Sequence, residues 1–300
     1  MHSQSNSTWA LARLTGAIIA SLPLISPAIF AQGLSLPPSP ADLVQQTVTR
    51  ELAAANAGGH YMYRLRKETG RRGSETRDII ETQDWLIGRI VLRDGHPLSS
   101  EQRQEEDERL QRLIRNRRDL EEFQRDQHHD ESRVRNMMRA LPDAFLYKYE
   151  GTPQNDSRRA LVRLAFRPNP NFKPSSRELQ VLQGMEGTML IDSDVERLVR
   201  VDAKLVRDVD FGWGILGRLY RGGSFLLQQH EVGSGRWAIT ELALHFTGKV
   251  LLFKTININS VSTASDFRRM PDNLTLQQGL ELLLEPDRMT APEKELRTRQ

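Results

Sequence analysis

Residues 195–207 read VERLVRVDAKLVR. Val195, Val199, Val201, Ala203 and Leu205 fall on one side of an extended chain, and Glu196, Arg200, Asp202 and Lys204 on the other. Successive side chains of a pleated strand point to opposite faces, so this alternation predicts an antiparallel strand with one dry and one wet face. Residues 187–192 (GTMLID) form a strand-like run before it, and 215–221, 224–232, 236–246 and 250–258 follow. The breaks fall at Gly222-Gly223, Gly233-Ser234-Gly235 and Thr247-Gly248-Lys249. Glycine takes positive φ at no steric cost, which is what tight hairpins need. Connections this short imply that neighbouring strands pair antiparallel. In 250–258, Val250, Leu252, Ile256 and Ile258 share one side and Leu251 and Phe253 the other, which predicts cover on both faces.

Upstream, an α-helix is predicted over 40–56. Ser39 is its cap, Pro40 suits its first turn and Gly58-Gly59 ends it. Leu43, Val44, Thr47, Val48, Leu52 and Ala55 give it a stripe that needs a surface to cover. Strands follow around 61–65, 74–82 and 85–93. Residues 99–139 are dense in Glu, Arg, Asp and Gln, with Leu110, Leu113, Ile114, Leu120 and Phe123 at helical spacing. Acidic residues come first and arginines follow, which complements the helix dipole. The segment predicts a charged helical insertion between strands, solvated on most of its surface and ended by Pro142. Strands at 144–150 and 159–167, a helical turn within 175–182 and a helix over 275–284 complete the pattern. The fold class expected is α+β, mainly antiparallel β: a large curved sheet with helices on its concave side.

The N-terminus is expected to be an export signal. Arg13 precedes an uncharged apolar run, 14–30, broken by Gly16, Pro23 and Pro27, and Ala31 is a small residue at a cleavage position. An uncleaved anchor is the alternative. Residues 1–31 are assigned to the signal, 32–40 to a linker, 41–285 to the folded domain and 286–300 to a charged tail. The chain has no cysteine, so no disulfide can hold the exported product and its core must do so alone. Lys and Arg total 42 against 39 Asp and Glu. That near balance gives no nucleic-acid footprint, which would need basic residues gathered on one face.

The sequence carries none of the common catalytic motifs. There is no Gly-x-Ser-x-Gly elbow, no phosphate loop and no His-Glu-x-x-His. His128 and His129 are adjacent, and neighbours on a helix point about 100° apart, which does not suit one metal ion. No catalytic residue, metal or cofactor is assigned, and the chain is expected not to be an enzyme. A hydrolase with a non-standard site ranks last.

Residues 187–192 and 198–205, then 214–225 (GILGRLYRGGSF) and 231–237 (EVGSGRW), resemble the LolA/LolB-like superfamily of bacterial periplasmic lipoprotein-sorting proteins. The resemblance covers roughly 159–270 and adds the leader and the first helix. It implies an unclosed half-barrel whose apolar concavity, capped by helices, accepts acyl chains. Candidate lining positions are Val199, Val201, Leu205, Trp213, Leu216, Phe225, Leu227, Trp237, Ile239 and Leu252. The expected protein is periplasmic or secreted, does not span the membrane once processed, and binds a lipid or acylated ligand. The alternative is an envelope scaffold that docks a protein partner through the 99–139 insertion.

Overall fold

The computed structural model describes residues 39–54, 59–70, 73–151, 160–211, 217–233, 235–250 and 254–285. The chain divides into two units, Met1–Pro37 and Pro38–Gln300. The first, with the expected signal and most of the linker, lies outside the described residues, as does the 286–300 tail.

Among the described residues thirteen strands form one open, antiparallel sheet, accompanied by α-helices and a 3₁₀ segment. The chain begins with α1 (Pro40–Ala54), β1 (His60–Thr69), β2 (Ser74–Glu81), β3 (Leu86–Arg93) and β4 (His96–Pro97). Then come α2 (Ser100–Arg115), α3 (Arg117–Ala144), β5 (Phe145–Gly151), β6 (Leu161–Pro168) and the 3₁₀ turn Glu178–Gly184. The meander is β7 (Met185–Asp192), β8 (Arg197–Leu205), β9 (Val209–Phe211), β10 (Gly217–Leu219), β11 (Ser224–Gly233), β12 (Arg236–Val250) and β13 (Lys254–Met270), followed by α4 (Leu276–Leu284). The sheet order is β4-β3-β2-β1-β13-β12-β11-β8-β7-β6-β5, with β10 bridging β12 to β9. β1 and β13, from opposite ends of the chain, are therefore neighbours.

The helix ends follow local chemistry. Ser39 Oγ accepts the Asp42 N–H at 3.1 Å, and Ser99 with Gln102 and Thr275 with Gln278 form capping boxes. Asn116 is both the last cap of α2 and the first of α3, so the two helices meet across one residue. α3 runs through Pro142 to Ala144 instead of stopping at the proline. The missing N–H falls in the last turn, where it deprives only the Met138 carbonyl of an intrahelical partner.

The register across the sheet defines two faces. Leu164, Met189, Val201, Leu227, Leu242, Ser262 and Lys67 lie opposite one another in succession, so they share a first face. The extra residue where β13 pairs with β1 falls at Asp266, which has φ 57. β1 thus keeps its alternation, and Met62, with Ile80 and Ile87 opposite, points to the second face. Two cores result. On the first face α1 (Leu43, Val44, Val48) and Ala144 cover Leu164, Phe166, Met189, Ile191 and Ala203. On the second, α2 (Leu110, Leu113) and α4 (Leu280, Leu283) cover Met62, Ile80 and Ile87. The helices do not all lie on one side, as the sequence pattern predicted; α2 and α4 lie opposite α1, over Met62, Ile80 and Ile87, which project to the other face.

A second correction concerns 247–258. Thr247-Gly248-Lys249 is not a turn but part of β12, and Val250 pairs with Lys254. The expected strand 250–258 is therefore split between the end of β12 and the start of β13, and 251–253 lie outside the described residues. Gly248 is required within the ladder, since a Cβ there would collide with the Arg218 carbonyl oxygen.

Glu106, buried on α2, ties that helix to the sheet. It accepts the Ile90 N–H at 2.8 Å and two bonds from Arg109. Burial pushes its carboxyl up, but Arg109 and the Ile90 N–H outweigh burial and hold it below the usual value. A depressed carboxylate contributes stability above its ordinary range and loses it as pH falls through the folded value. Glu106→Gln is expected to cost about 1–3 kcal/mol at pH 7 in urea unfolding, with the deficit shrinking towards pH 3. A deficit independent of pH would contradict this.

Candidate functional site

The first face changes character from edge to centre. Over β5–β8 it is covered by α1, the end of α3 and the 3₁₀ turn. Across β8, β11 and β12 the same rows continue as Val201–Leu227–Leu242 and Ala203–Phe225–Leu244, with Phe246 one row on. Val201, Leu227, Leu242, Phe225, Leu244 and Phe246 are all half-buried. Val201, Phe225 and Phe246 pack against the edge of the first core, and Leu227, Leu242 and Leu244 continue the apolar strip beyond it. Towards β13 and β1 the rows turn polar at Ser260, Ser262, Thr69 and Lys67. The opposite face carries Asp202–Leu226–Ala243 and Arg200–Gln228–Glu241, a mostly polar pattern that suits water.

The structure brings three of the expected lining residues together: Val201, Phe225 and Leu227. Leu205 is on the same strand face but only 1% exposed, packed into the first core. Val199 is the extra residue of a β8 bulge, skipped between the Leu190–Arg200 and Ile191–Leu198 pairs. Trp237 and Ile239 lie beyond a second bulge in β12; Trp237 is buried and Ile239 is 47% exposed. Trp213, Leu216 and Leu252 lie outside the described residues. Sequence reading missed Leu242, Leu244 and Phe246, although the alternation Leu-Ala-Leu-His-Phe over 242–246 was the available signal.

A polar junction bounds the strip beyond those bulges. Glu51 of α1 accepts two bonds from Arg197, both at 2.9 Å, and the Leu198 N–H at 2.9 Å. The Arg197 guanidinium sits 5.7 Å from the centre of the Trp237 ring. Beside them opens a hollow of about 550 Å³ bounded by Arg50, Asp192, Asp194, Glu231 and Trp237. Nearby, Glu81 of β2 accepts the Tyr61 N–H at 3.0 Å and Arg236 at 3.2 Å, and the Tyr61 hydroxyl donates to the Gly233 carbonyl at 3.1 Å. Burial pushes the Glu81 carboxyl up despite Arg236. Burial, with the Glu81 charge, also raises the Tyr63 phenol to about 12. These groups are each committed to neighbours within the fold, and the junction reads as a structural clasp.

Comparison with protein-family models, with curated proteins and with solved structures finds no match. No helix among the described residues is long and apolar enough to cross a membrane.

Glu51→Gln would leave Arg197 charged and buried without its carboxylate. The expected loss is about 3–5 kcal/mol in denaturant unfolding. A loss below about 1 kcal/mol would mean that Arg197 is rehydrated and the clasp contributes little.

Proposed function

We propose that this chain is an exported, non-enzymatic binding protein whose apolar strip takes a lipophilic ligand, a lipid or acyl chain, in envelope lipid or lipoprotein handling. The observation that carries the reading is the strip itself: six half-buried apolar side chains on one face of three paired strands, continuous with a packed core. An acyl chain laid on such a surface gains about 0.8 kcal/mol for each CH₂ it buries, and no covalent chemistry is required.

Two distances support a sheet curved as a half-barrel around that strip. Gln127 of α3 bonds both backbone groups of Leu86 in β3, and the helix runs on to Ala144, adjoining β5. That length of helix spans roughly 26 Å. β3 and β5 stand nine strand steps apart in the sheet order, about 43 Å if the sheet were flat. The shortfall supports a bend that draws the two edges together. The Tyr61–Gly233 bond supports the direction, because Tyr61 projects from the first face of β1 and reaches β11, three strands away. On this reading the strip lines the hollow side, with α1 and the end of α3 sheltering one flank. The resemblance of 159–270 to periplasmic lipoprotein-sorting proteins agrees with the same use.

The test is titration with a fatty acid bearing an environment-sensitive fluorophore. Leu227→Glu and Leu242→Glu are expected to weaken binding at least ~10-fold, since each places a charge in the apolar contact. Leu226→Glu, on the opposite face, should leave it unchanged. Absence of binding, or equal loss from all three variants, would refute the proposal.

A further inference from the structure

The turn between α2 and α3 is the most basic part of the insertion. Residues 111–118 read QRLIRNRR: four arginines and no acidic residue. Asn116 makes the turn tight, its N–H bonding the Arg112 carbonyl at 2.7 Å and its side chain accepting the Arg118 N–H at 3.0 Å. Leu110 and Leu113 anchor the turn in the second core. Arg112, Arg115, Arg117 and Arg118 are all exposed. Ile114 projects among them, 41% exposed. Arg117 pairs with Glu121 at 2.8 Å, yet its side chain is 91% exposed. Between the two helices opens a hollow of about 470 Å³, bounded by Arg112, Arg115, Asn116 and Arg117, with Glu108 as its one carboxylate.

We infer that this turn docks the protein onto an anionic phospholipid surface. Several acidic residues near the turn are engaged elsewhere, Glu106 and Asp107 with the sheet and Glu108 with Gln104, while Arg112, Arg115, Arg117 and Arg118 gather, exposed, at the turn itself. Guanidinium matches phosphate geometry and binds it with two parallel bonds. A nucleic-acid backbone or an acidic protein would satisfy the arginines equally, but neither needs an exposed isoleucine at their centre. A bilayer does, because Ile114 can enter the boundary beneath the headgroups while the arginines stay at their level. The inference does not rest on the lipid-binding strip, which lies on the other face of the sheet from the core that anchors this turn.

The experiment uses residues 38–300, the unit that contains both cores and every described element, and empty vesicles of phosphatidylcholine with or without 30 mol% phosphatidylglycerol. Cosedimentation is expected only with the anionic vesicles and should weaken steeply as salt rises. Arg112→Gln, Arg115→Gln, Arg117→Gln and Arg118→Gln together should lower the affinity at least ~20-fold, since each arginine at such a surface contributes about fivefold. Equal charge removal at exposed Arg163, Arg167, Lys204 and Lys249 should change it far less. Ile114→Ser should weaken vesicle binding severalfold and leave heparin binding unaltered. Circular dichroism melting identical to the parent confirms that each variant is folded. Equal binding to neutral vesicles, no binding at all, an unaffected arginine variant, or tighter binding to heparin with no effect of Ile114→Ser would each overturn the inference.

Discussion

The pairing of β1 with β13 is the constraint on which the architecture depends. It joins strands roughly two hundred residues apart in sequence, and the closure entropy of so long a loop, which grows only as the logarithm of its length, is met once. Without that ladder the sheet would divide into a β1–β4 piece and a β5–β13 piece, each with one helical cover and one unpaired long edge. With it, the main path of described strands ends at a short strand, β4, and a longer one, β5, with the short β9 as an edge of its branch. A fold so reliant on non-local strand pairing is expected to fold slowly for its size.

The two cores on opposite faces follow from that ladder. Because alternation carries through β13 and β1, the face that is apolar in β6–β8 and β11–β12 meets Lys67 and Thr69, while Met62 of β1, with Ile80 and Ile87 beside it, looks the other way. Each helical pair covers one end of the sheet, and the apolar strip runs on from the first core across β11 and β12. The same arrangement that makes the strip available also explains α3: its ends belong to the two different cores, and residues 128–136 between them are exposed throughout. A helix with so little apolar content there is stabilised at its ends and by its backbone, not by a stripe of its own.

Much of this was legible locally. The alternation at 195–207, the strand-like run at 224–232 between its glycine breaks, the cap at Ser39 and the helical spacing of Leu110 and Leu113 all express short-range chemistry, and the corresponding elements exist. Val201, Phe225 and Leu227 were among the candidate lining positions, and the register places them on one face. What was not legible depended on distant partners. Thr247-Gly248-Lys249 has the composition of a turn, but Gly248 is there because the β10 backbone passes close by. Val250 pairs with Lys254, so β12 extends through 247–250 in a stretch whose composition read as a turn. Likewise no local pattern says that β1 pairs with β13, and so none could say that α2 and α4 face away from α1.

The absence of native cysteine makes the decisive measurement direct. Leu65 and Ala264 stand opposite each other in the β1–β13 ladder, and opposed positions of this kind bring Cβ atoms within about 4.5–5.5 Å. A Leu65→Cys, Ala264→Cys double variant should form an intramolecular disulfide under mild oxidation of the folded protein, whereas Leu65→Cys with Val261→Cys should not. Failure of the first pair to cross-link, or equal cross-linking of the second, would contradict a single sheet closed across the two ends of the chain.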